Sequence, residues 1–397
     1  MHKLFAYTAL VAAAAAIVLT ILLLLTWLEH RRPLELPALA GSFHVGRTAM
    51  YWTKSGASDT TPPNDTHELV GWIWYPTTTN NAARAPYLPP KWREALEESS
   101  GALIRFITRD LAQVKVHSVL DAELAATQPR YPIILLRAGS SALVANYTAL
   151  AEQLASRGYI VVGVDAAYRT AVVVLPNGQV VRRVPQEDVE VQPEAQQVQV
   201  ATRLTDAWSA DLSFVVDELA KLDANDPTGR FRGRLDTQRV GVVGHSFGGA
   251  HAADFCFKDS RCKAGVDLDG RLFGPVIDQG LQRPFMFVLS EHDDRSSEGS
   301  VVMKQIDSVF GRLPAASRLM VILKGSNHLS FSDQILLKSQ VLIGTAQRLH
   351  LIGGLEPRRG LAISSDYVAT FFDVYLNEKP RTELEALGRK YPEVIVH

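Results

Sequence analysis

A glycine-flanked serine between a short apolar run and a helical stretch restricts the fold of this chain more than any other feature. Residues 240–243 read V-G-V-V, residues 244–248 read G-H-S-F-G, and residues 249–257 have helical composition. The order strand, G-x-S-x-G, helix is the signature of a nucleophile elbow, a tight turn that strains the serine backbone and exposes the hydroxyl. Glycines fit this turn because side chains there would collide with the neighbouring strand and helix. Ser246 is therefore the candidate nucleophile.

The remainder of the chain favours an α/β arrangement around this turn. Short apolar runs alternate with helical stretches from residue 133 onward, which is typical of a mostly parallel sheet with helices on both faces. A P-N-G turn at 176–178 predicts a β-hairpin within this succession. Alternating residues at 67–75 predict an earlier strand. The other predicted strands are 133–136, 159–164, 239–243, 264–268, 285–289 and 319–323, and the predicted helices are 143–156, 198–222, 247–257, 301–310 and 367–376.

The N-terminus carries an uncharged, largely apolar run over residues 4–28, which ends at the charged segment 29–32. A run of this length spans a hydrocarbon core of about 30 Å. A cleaved signal peptide usually has a shorter apolar stretch followed directly by a small-residue cleavage site, whereas the A-L-A at 38–40 lies beyond the charged segment. The sequence therefore favours a membrane anchor over 1–32 and an exported catalytic domain over 33–397. A cleaved signal and a secreted protein are the alternative.

Charge excludes nucleic acid as the expected partner. The chain has 41 Lys and Arg against 42 Asp and Glu, a net charge of −1, and no block of like charge.

The chain is long enough, with 47% hydrophobic residues, to build the core of one large catalytic domain. Within that domain, helical spacing over 91–116, with a break near 99–101, predicts a helical insertion placed to cover a cleft. The sequence makes no prediction of oligomeric state.

The chain has two cysteines, Cys256 and Cys262. In an oxidising compartment they are placed to bridge the end of the helix after the elbow to the start of the next strand. The alternative is a pair of buried, unbridged side chains, because sequence separation alone does not show that their Cβ atoms face each other.

A serine hydroxyl needs a base to take its proton, and the base needs a carboxylate to fix its tautomer. In an architecture with this elbow the chain order is serine, acid, histidine. His328 is the best-placed base because its G-S-N-H turn directly follows an apolar strand, at the carboxyl end of that strand. Two acids follow strands in the same way, Asp269 after 264–268 and Asp293 after 285–289. The pattern alone leaves both acids open.

An oxyanion hole needs two backbone N–H groups that point to where negative charge develops on the tetrahedral intermediate. One is expected from Phe247, directly after the serine at the start of the helix. The other is expected from the small-residue loop R-A-G-S-S at 137–141, with Ser140 as the favoured donor. This chemistry needs no metal ion, and the sequence predicts neither a metal nor a cofactor.

Longer segments carry a family resemblance that extends from about Leu36 to Leu376. They include G-S-F-H-V-G at 41–46, W-Y-P at 74–76, G-H-S-F-G-G at 244–249, L-D-G at 268–270 and K-G-S-N-H at 324–328. Together they resemble the platelet-activating factor acetylhydrolase family of the plasma and bacterial type, which is related to lipoprotein-associated phospholipase A2. The resemblance implies an α/β-hydrolase fold. It also selects Asp269 as the acid, since in that family the acid follows the strand after the elbow helix.

One position departs from the family pattern. Relatives usually carry a His-Gly pair after the oxyanion strand, where this chain has Ala138-Gly139. The glycine keeps the turn possible, so the departure concerns the geometry of the second oxyanion donor.

The resemblance implies a serine esterase that acts on lipid-like esters, such as phospholipids with short or oxidised acyl chains. A general carboxylesterase or polyester hydrolase acting on soluble esters is the alternative, because one fold hosts many substrates. A hypothesis of another class is a catalytically silent hydrolase fold that serves as a binding module. Against it, all three triad positions are filled in the order that the chemistry needs. The expected partners are an ester substrate and, through the N-terminal helix, a membrane.

Overall fold

A large mixed sheet organises the chain. The computed structural model describes residues 2–55, 66–80, 82–185, 188–291 and 297–397. Its strands are β1 (Leu34–Glu35), β2 (His44–Ser55), β3 (Thr66–Thr77), β4 (Arg84–Pro86), β5 (Val114–Leu120), β6 (Tyr131–Arg137), β7 (Ile160–Ala166), β8 (Val172–Val174), β9 (Val180–Arg182), β10 (Leu235–His245), β11 (Cys262–Leu268), β12 (Phe285–Ser290), β13 (Arg318–Leu323) and β14 (Val394–Val396).

The sheet is parallel through its centre. Within the described ranges it has 12 strands, in the order β1-β5-β2-β3-β7-β6-β10-β11-β12-β13-β14, with β4 paired to β5. The neighbours in the run β7-β6-β10-β11-β12-β13 pair in parallel, whereas β3 and β14 pair antiparallel with their neighbours. β8 and β9 form the separate hairpin expected around the P-N-G turn. The predicted mostly parallel sheet is therefore confirmed.

Helices cover both faces of the sheet. The helices of the described ranges are α1 (His2–His30), α2 (Pro90–Ser99), α3 (Ala102–Ile107), α4 (Thr148–Ser156), α5 (Glu194–Ala224), α6 (Phe247–Lys258), α7 (Val276–Gln279), α8 (Ser297–Arg312), α9 (Gln334–Leu337), α10 (Gln340–Arg348), α11 (Pro357–Leu376) and α12 (Thr382–Lys390). In β6, Ile134 and Leu136 belong to the core shared with α4 and α11, whereas Ile133 and Leu135 belong to the core shared with α5, α6 and α8. Successive strand side chains point to opposite faces, so β6 is buried on both.

The parallel register brings the ends of three strands together. Gly244 of β10 pairs with Arg137 of β6, and His245 pairs with Leu268 of β11. The loops after β6, β10 and β11 therefore begin side by side at one edge of the sheet. In open α/β sheets this carboxyl edge is where ligands bind.

The helical insertion is shorter than the sequence predicts. Its helices α2 and α3 are separated near the predicted break, but helix ends at Ile107. The prediction of helix as far as Val116 is wrong, because residues 114–120 form β5. Val114 and Val116 are buried while Lys115 between them is exposed, and this period of two favours a strand over a helix.

The N-terminal helix has the dimensions of a membrane span. Within α1, the segment Tyr7–His30 has a mean hydropathy of 2.8 over its most apolar stretch. Its 24 residues measure about 36 Å as a helix, against about 30 Å for a hydrocarbon core. A signal sequence near an N-terminus shares these properties. The carboxyl end of α1 contacts α3 and α10 of the remainder of the chain.

Candidate active site

The elbow serine lies between β10 and α6 in a strained backbone conformation. Ser246 has φ +57° and ψ −127°, and its N–H donates to the Leu268 carbonyl over 2.9 Å. A positive φ is uncommon for a residue with a side chain, and such strain concentrates at functional sites. A Cβ on Gly244 would lie only 1.9 Å from the Gly248 carbonyl oxygen. The first motif glycine is therefore needed for the close passage of α6 over the end of β10.

His328 and Asp269 form a hydrogen-bonded pair at the same edge of the sheet. His328 Nδ1 lies 2.8 Å from Asp269 Oδ2. Asp269 directly follows β11 and has φ +56°, while His328 stands in the turn after β13. The Asp269 side chain is 1% exposed, whereas the imidazole is 50% exposed. The acid is thus shielded from solvent while the other side of the imidazole is accessible.

Ser290, the last residue of β12, holds the Asp269 carboxylate from behind. Asp269 Oδ1 accepts a hydrogen bond from Ser290 N–H at 2.7 Å, and Ser290 Oγ lies 2.9 Å from both carboxylate oxygens. These donors fix the plane of the carboxylate and direct Oδ2 to His328. The alternative acid of the sequence analysis, Asp293, lies outside the described residues.

The loops after β6, β10 and β13 line a cavity of about 1050 Å³. Ser246, His328, Ser140 and Gly139 all line it. Residues of helices α2 and α3 also line it, so the insertion borders the cleft. Among the residues that the structure describes, no three His, Cys, Asp or Glu side chains are grouped to hold a metal ion.

The expected oxyanion donors flank the serine. Phe247 is the first residue of α6, and a Cβ on Gly139 would lie 3.0 Å from Ser246 Cβ, so the loop after β6 passes directly against the elbow. Neither the Phe247 N–H nor the Ser140 N–H donates to another group within the described ranges. Both are therefore available to bind an oxyanion. Ala138, where the family pattern departs, is 3% exposed and belongs to the same hydrophobic core as Ile134 and Leu136.

A buried hydrogen-bond chain links the oxyanion loop to the backbone of His328. Gly139 N–H donates to Tyr147 Oη at 3.1 Å, Tyr147 Oη lies 2.8 Å from His245 Nδ1, and His245 Nε2 lies 2.9 Å from the His328 carbonyl. Because a carbonyl can only accept, Nε2 carries the proton and the tyrosine donates to Nδ1. Burial lowers the pKa of His245 to about 3, which keeps the ring neutral as this hydrogen bonding requires. The sequence motifs predict no role for Tyr147, His245 or Ser290.

Cys256 and Cys262 are joined by a disulfide, with their Cα atoms 5.0 Å apart. The bond connects the last part of α6 to the first residue of β11. It therefore ties the helix that carries the elbow to the strand that leads into Asp269.

Replacing both cysteines by alanine is expected to lower the free energy of unfolding by about 2 kcal/mol, because the short closed loop no longer restricts the unfolded chain. Chemical denaturation of the Cys256→Ala/Cys262→Ala variant, beside oxidised and reduced wild type, measures this. Reduced wild type should resemble the variant. An unchanged denaturation midpoint in both would contradict a stabilising role.

Comparisons with known proteins agree on one family. The sequence profile described as "Platelet-activating factor acetylhydrolase, isoform II" matches residues 29–383. The platelet-activating factor acetylhydrolase of Cavia porcellus is 26% identical over 322 residues, 77% of this chain and 72% of that protein. A probable 1-alkyl-2-acetylglycerophosphocholine esterase of Arthroderma benhamiae is 27% identical over 279 residues, 66% of this chain and 65% of that protein.

A solved structure extends the likeness to the fold. The ferulic acid esterase from Streptomyces cinnamoneus superposes with a TM-score of 0.73 at 25% identity, covering 91% of this chain and 99% of that one. The predicted α/β-hydrolase fold and the family resemblance are confirmed. This chain belongs to the platelet-activating factor acetylhydrolase isoform II family.

Proposed function

We propose that this protein is a serine esterase that hydrolyses carboxylic ester bonds of phospholipid-like substrates through an acyl-enzyme on Ser246. The observation that carries the proposal is the 2.8 Å hydrogen bond from His328 to Asp269 at the wall of the cavity that Ser246 also lines. Family membership supports the same reaction class. The proposed roles are Ser246 as nucleophile, His328 as base and Asp269 as its acid partner, with Phe247 and Ser140 as oxyanion donors.

In the first half-reaction, Ser246 Oγ attacks the ester carbonyl carbon while His328 Nε2 takes the hydroxyl proton. Nε2 is free to accept it because Nδ1 donates its own proton to Asp269. The carbonyl oxygen becomes an oxyanion, which the backbone N–H groups of Phe247 and Ser140 stabilise. Collapse of this intermediate breaks the ester C–O bond, and the leaving alkoxide takes the proton back from His328.

In the second half-reaction, water attacks the acyl-enzyme and His328 takes the water proton. The second tetrahedral intermediate collapses by breaking the bond to Ser246 Oγ, which recovers its proton from His328. A carboxylic acid is released and the free enzyme is restored. Each proton that the base accepts is thus returned within the same half-reaction.

The substitution Tyr147→Phe is expected to lower kcat about tenfold. It removes the hydroxyl that binds Gly139 N–H and His245 Nδ1, and leaving these buried groups without a partner costs about 1–3 kcal/mol. The matched control is Tyr131→Phe, which removes a buried hydroxyl that donates to the Ala125 carbonyl. Tyr131 begins β6, at the end of the strand away from the site. Steady-state kinetics with p-nitrophenyl acetate, alongside thermal unfolding of both variants, tests this. An equal loss of kcat in both variants would argue against a positioning role for Tyr147.

A lipid ester with a short acyl chain is the proposed substrate class. The relative from Arthroderma benhamiae is named as a probable 1-alkyl-2-acetylglycerophosphocholine esterase, an enzyme for a lipid with an acetyl ester. Apolar side chains from α2 and α3, Leu96, Ile104 and Phe106, line the cavity here. They provide contacts for the hydrocarbon part of such a molecule.

A second candidate is an esterase for soluble aryl esters. The specific observation in its favour is the superposition on a ferulic acid esterase over 91% of this chain. The two candidates share the reaction at Ser246 and differ in what occupies the cavity.

The proposed location is a membrane, with α1 as an uncleaved anchor and the catalytic part exported. Two observations support it. The disulfide between Cys256 and Cys262 suits an oxidising compartment. The end of α1 is bonded into the catalytic part, since Glu29 pairs with Arg109 at 2.8 Å, and cleavage at the A-L-A of 38–40 would discard this contact.

A substrate panel tests the proposed function. We expect turnover of 1-alkyl-2-acetylglycerophosphocholine with kcat/KM at least about tenfold above that for the analogue with a long acyl chain at the same position, as expected when a pocket restricts chain length. Methyl ferulate and p-nitrophenyl acetate represent soluble esters. Equal or better turnover of the soluble esters would favour the second candidate. No turnover of any ester by folded protein would favour the binding module.

A further inference from the structure

The carboxyl end of α1 is fastened to the catalytic part through a buried carboxylate. Glu29 is 8% exposed, and it accepts hydrogen bonds from Arg109 Nη2 at 2.8 Å and Ser339 Oγ at 2.7 Å. It also accepts from the N–H groups of Gln340 and Val341 at the start of α10, where a negative charge is favoured. A tether that only held the enzyme near a membrane would not need these contacts.

This attachment makes the end of α1 a part of the cavity wall. Trp27, His30 and Arg31 line the same cavity as Ser246 and His328. Tryptophan and arginine at the end of an apolar membrane helix lie at the membrane–water interface. With α1 across a bilayer, the cavity therefore opens at the level of the lipid headgroups.

An apolar surface continues from α1 to this opening. Leu23, Leu24, Trp27 and Phe106 line a groove, and the last two of these also line the catalytic cavity. On α3, which packs against α1, Leu103 is 69% exposed. Exposed apolar side chains beside a membrane helix are expected to enter the acyl region of the bilayer.

The rim of the cavity carries unpaired positive charge. Arg31 and Arg105 line it, and neither has an acidic partner within the described ranges. The other two arginines of the wall, Arg93 and Arg109, are each paired with a glutamate. The Arg31 guanidinium lies 4.2 Å from the centre of the Trp27 ring. Guanidinium groups bind phosphate oxygens through parallel N–H donors.

We propose that α1 and α3 form a bilayer-side entrance to the catalytic cavity, in which Arg31 and Arg105 bind the phosphate of a membrane phospholipid while its short acyl ester reaches Ser246. The inference rests on the proposed function, because it requires ester hydrolysis at Ser246 and a membrane-spanning α1. It adds the route by which the substrate arrives and the group by which it is selected.

The first test measures kcat/KM of the full chain in palmitoyl-oleoyl-phosphatidylcholine vesicles. Three acetyl esters are compared: 1-palmitoyl-2-acetylglycerophosphocholine and phosphate-free 1-palmitoyl-2-acetylglycerol in the bilayer, and p-nitrophenyl acetate in water. In Arg31→Gln/Arg105→Gln, kcat/KM should fall about tenfold or more for the phospholipid alone, since hydrogen bonds to charged groups are lost. Arg32→Gln removes an adjacent exposed cation that does not line the cavity and should change none of the three rates.

The second test separates the attachment of α1 from the phosphate contact. Glu29→Gln should reduce turnover of both bilayer esters and leave p-nitrophenyl acetate unchanged, because the entrance is displaced while Ser246 is not. Leu103 does not line the cavity, so a fluorophore on Leu103→Cys reports the position of α3 without changing the cavity wall. The label is specific because the two native cysteines are paired. Its emission should shift to the blue in vesicles, and that of Ile395→Cys on the edge strand β14 should not.

The outcomes distinguish the two proposals. Wild-type protein that hydrolyses none of the three esters contradicts the proposed function itself. Wild-type protein that hydrolyses them, with an equal loss for the phosphate-free lipid or in Arg32→Gln, overturns the phosphate site. Glu29→Gln that spares the bilayer esters, together with a water-like emission at Leu103→Cys, overturns the entrance.

Discussion

Replacing Ser246 by alanine is expected to lower kcat about a millionfold for every ester that the protein hydrolyses, because no acyl-enzyme can form. The backbone N–H groups of Phe247 and Ser140 remain and leave a residual rate of about 10³–10⁴ over the uncatalysed reaction. Single-turnover and steady-state kinetics with p-nitrophenyl acetate measure the loss.

The control for this substitution is Ser317→Ala, which removes a turn hydroxyl that donates to Pro314 away from the cavity. It should retain wild-type kcat. Thermal unfolding of Ser246→Ala should follow that of wild type, since the hydroxyl lies at a cavity wall. A Ser246→Ala variant that keeps more than about a hundredth of the wild-type rate is incompatible with covalent catalysis at this serine.

Replacing Asp269 by asparagine is expected to lower kcat by about 10⁴-fold, because the substitution changes which nitrogen of His328 carries the proton. Ser290 donates its N–H to Oδ1 of Asp269 over 2.7 Å, so the amide oxygen of an asparagine would keep that place. The amide NH₂ would then face His328 Nδ1, which must accept. The imidazole proton would move to Nε2, and the base could no longer take a proton from Ser246.

The matched control is Asp293→Asn, the other acid that the strand pattern leaves open. Its kcat should remain near that of wild type, and the pH–rate profile should be unchanged. A collapse of turnover in Asp293→Asn, with Asp269→Asn still active, would assign the acid role to Asp293. Measuring both variants at several pH values distinguishes a lost tautomer from a lost fold.

Features encoded by neighbouring residues could be predicted from the sequence. The elbow depends on five consecutive residues, and the central strands are continuous apolar runs because both of their faces are buried. The order of the parallel strands then brings Ser246, Asp269 and His328 to one edge of the sheet. The choice between Asp269 and Asp293 was not local, and it required the family resemblance.

Features that depend on distant contacts could not be predicted. Tyr147 and His245 meet across 98 residues, and Glu29 meets Ser339 across 310. The neighbouring residues do not indicate these partners, since the sequence pattern alone predicts that a polar side chain at such a position is exposed to solvent. The strand at Val114 is hidden in the sequence for another reason. Its short alternating pattern directly follows two helices, and its apolar residues also fit the helical spacing.

Covalent catalysis at Ser246 is tested most directly by treating the full-length protein with a fluorophosphonate probe and locating the adduct by peptide mass spectrometry. We expect one adduct, on Ser246, with loss of esterase activity in proportion to labelling, and no adduct in Ser246→Ala. Folded wild-type protein that takes up no probe, or that carries the adduct on another residue while activity is lost, would contradict it.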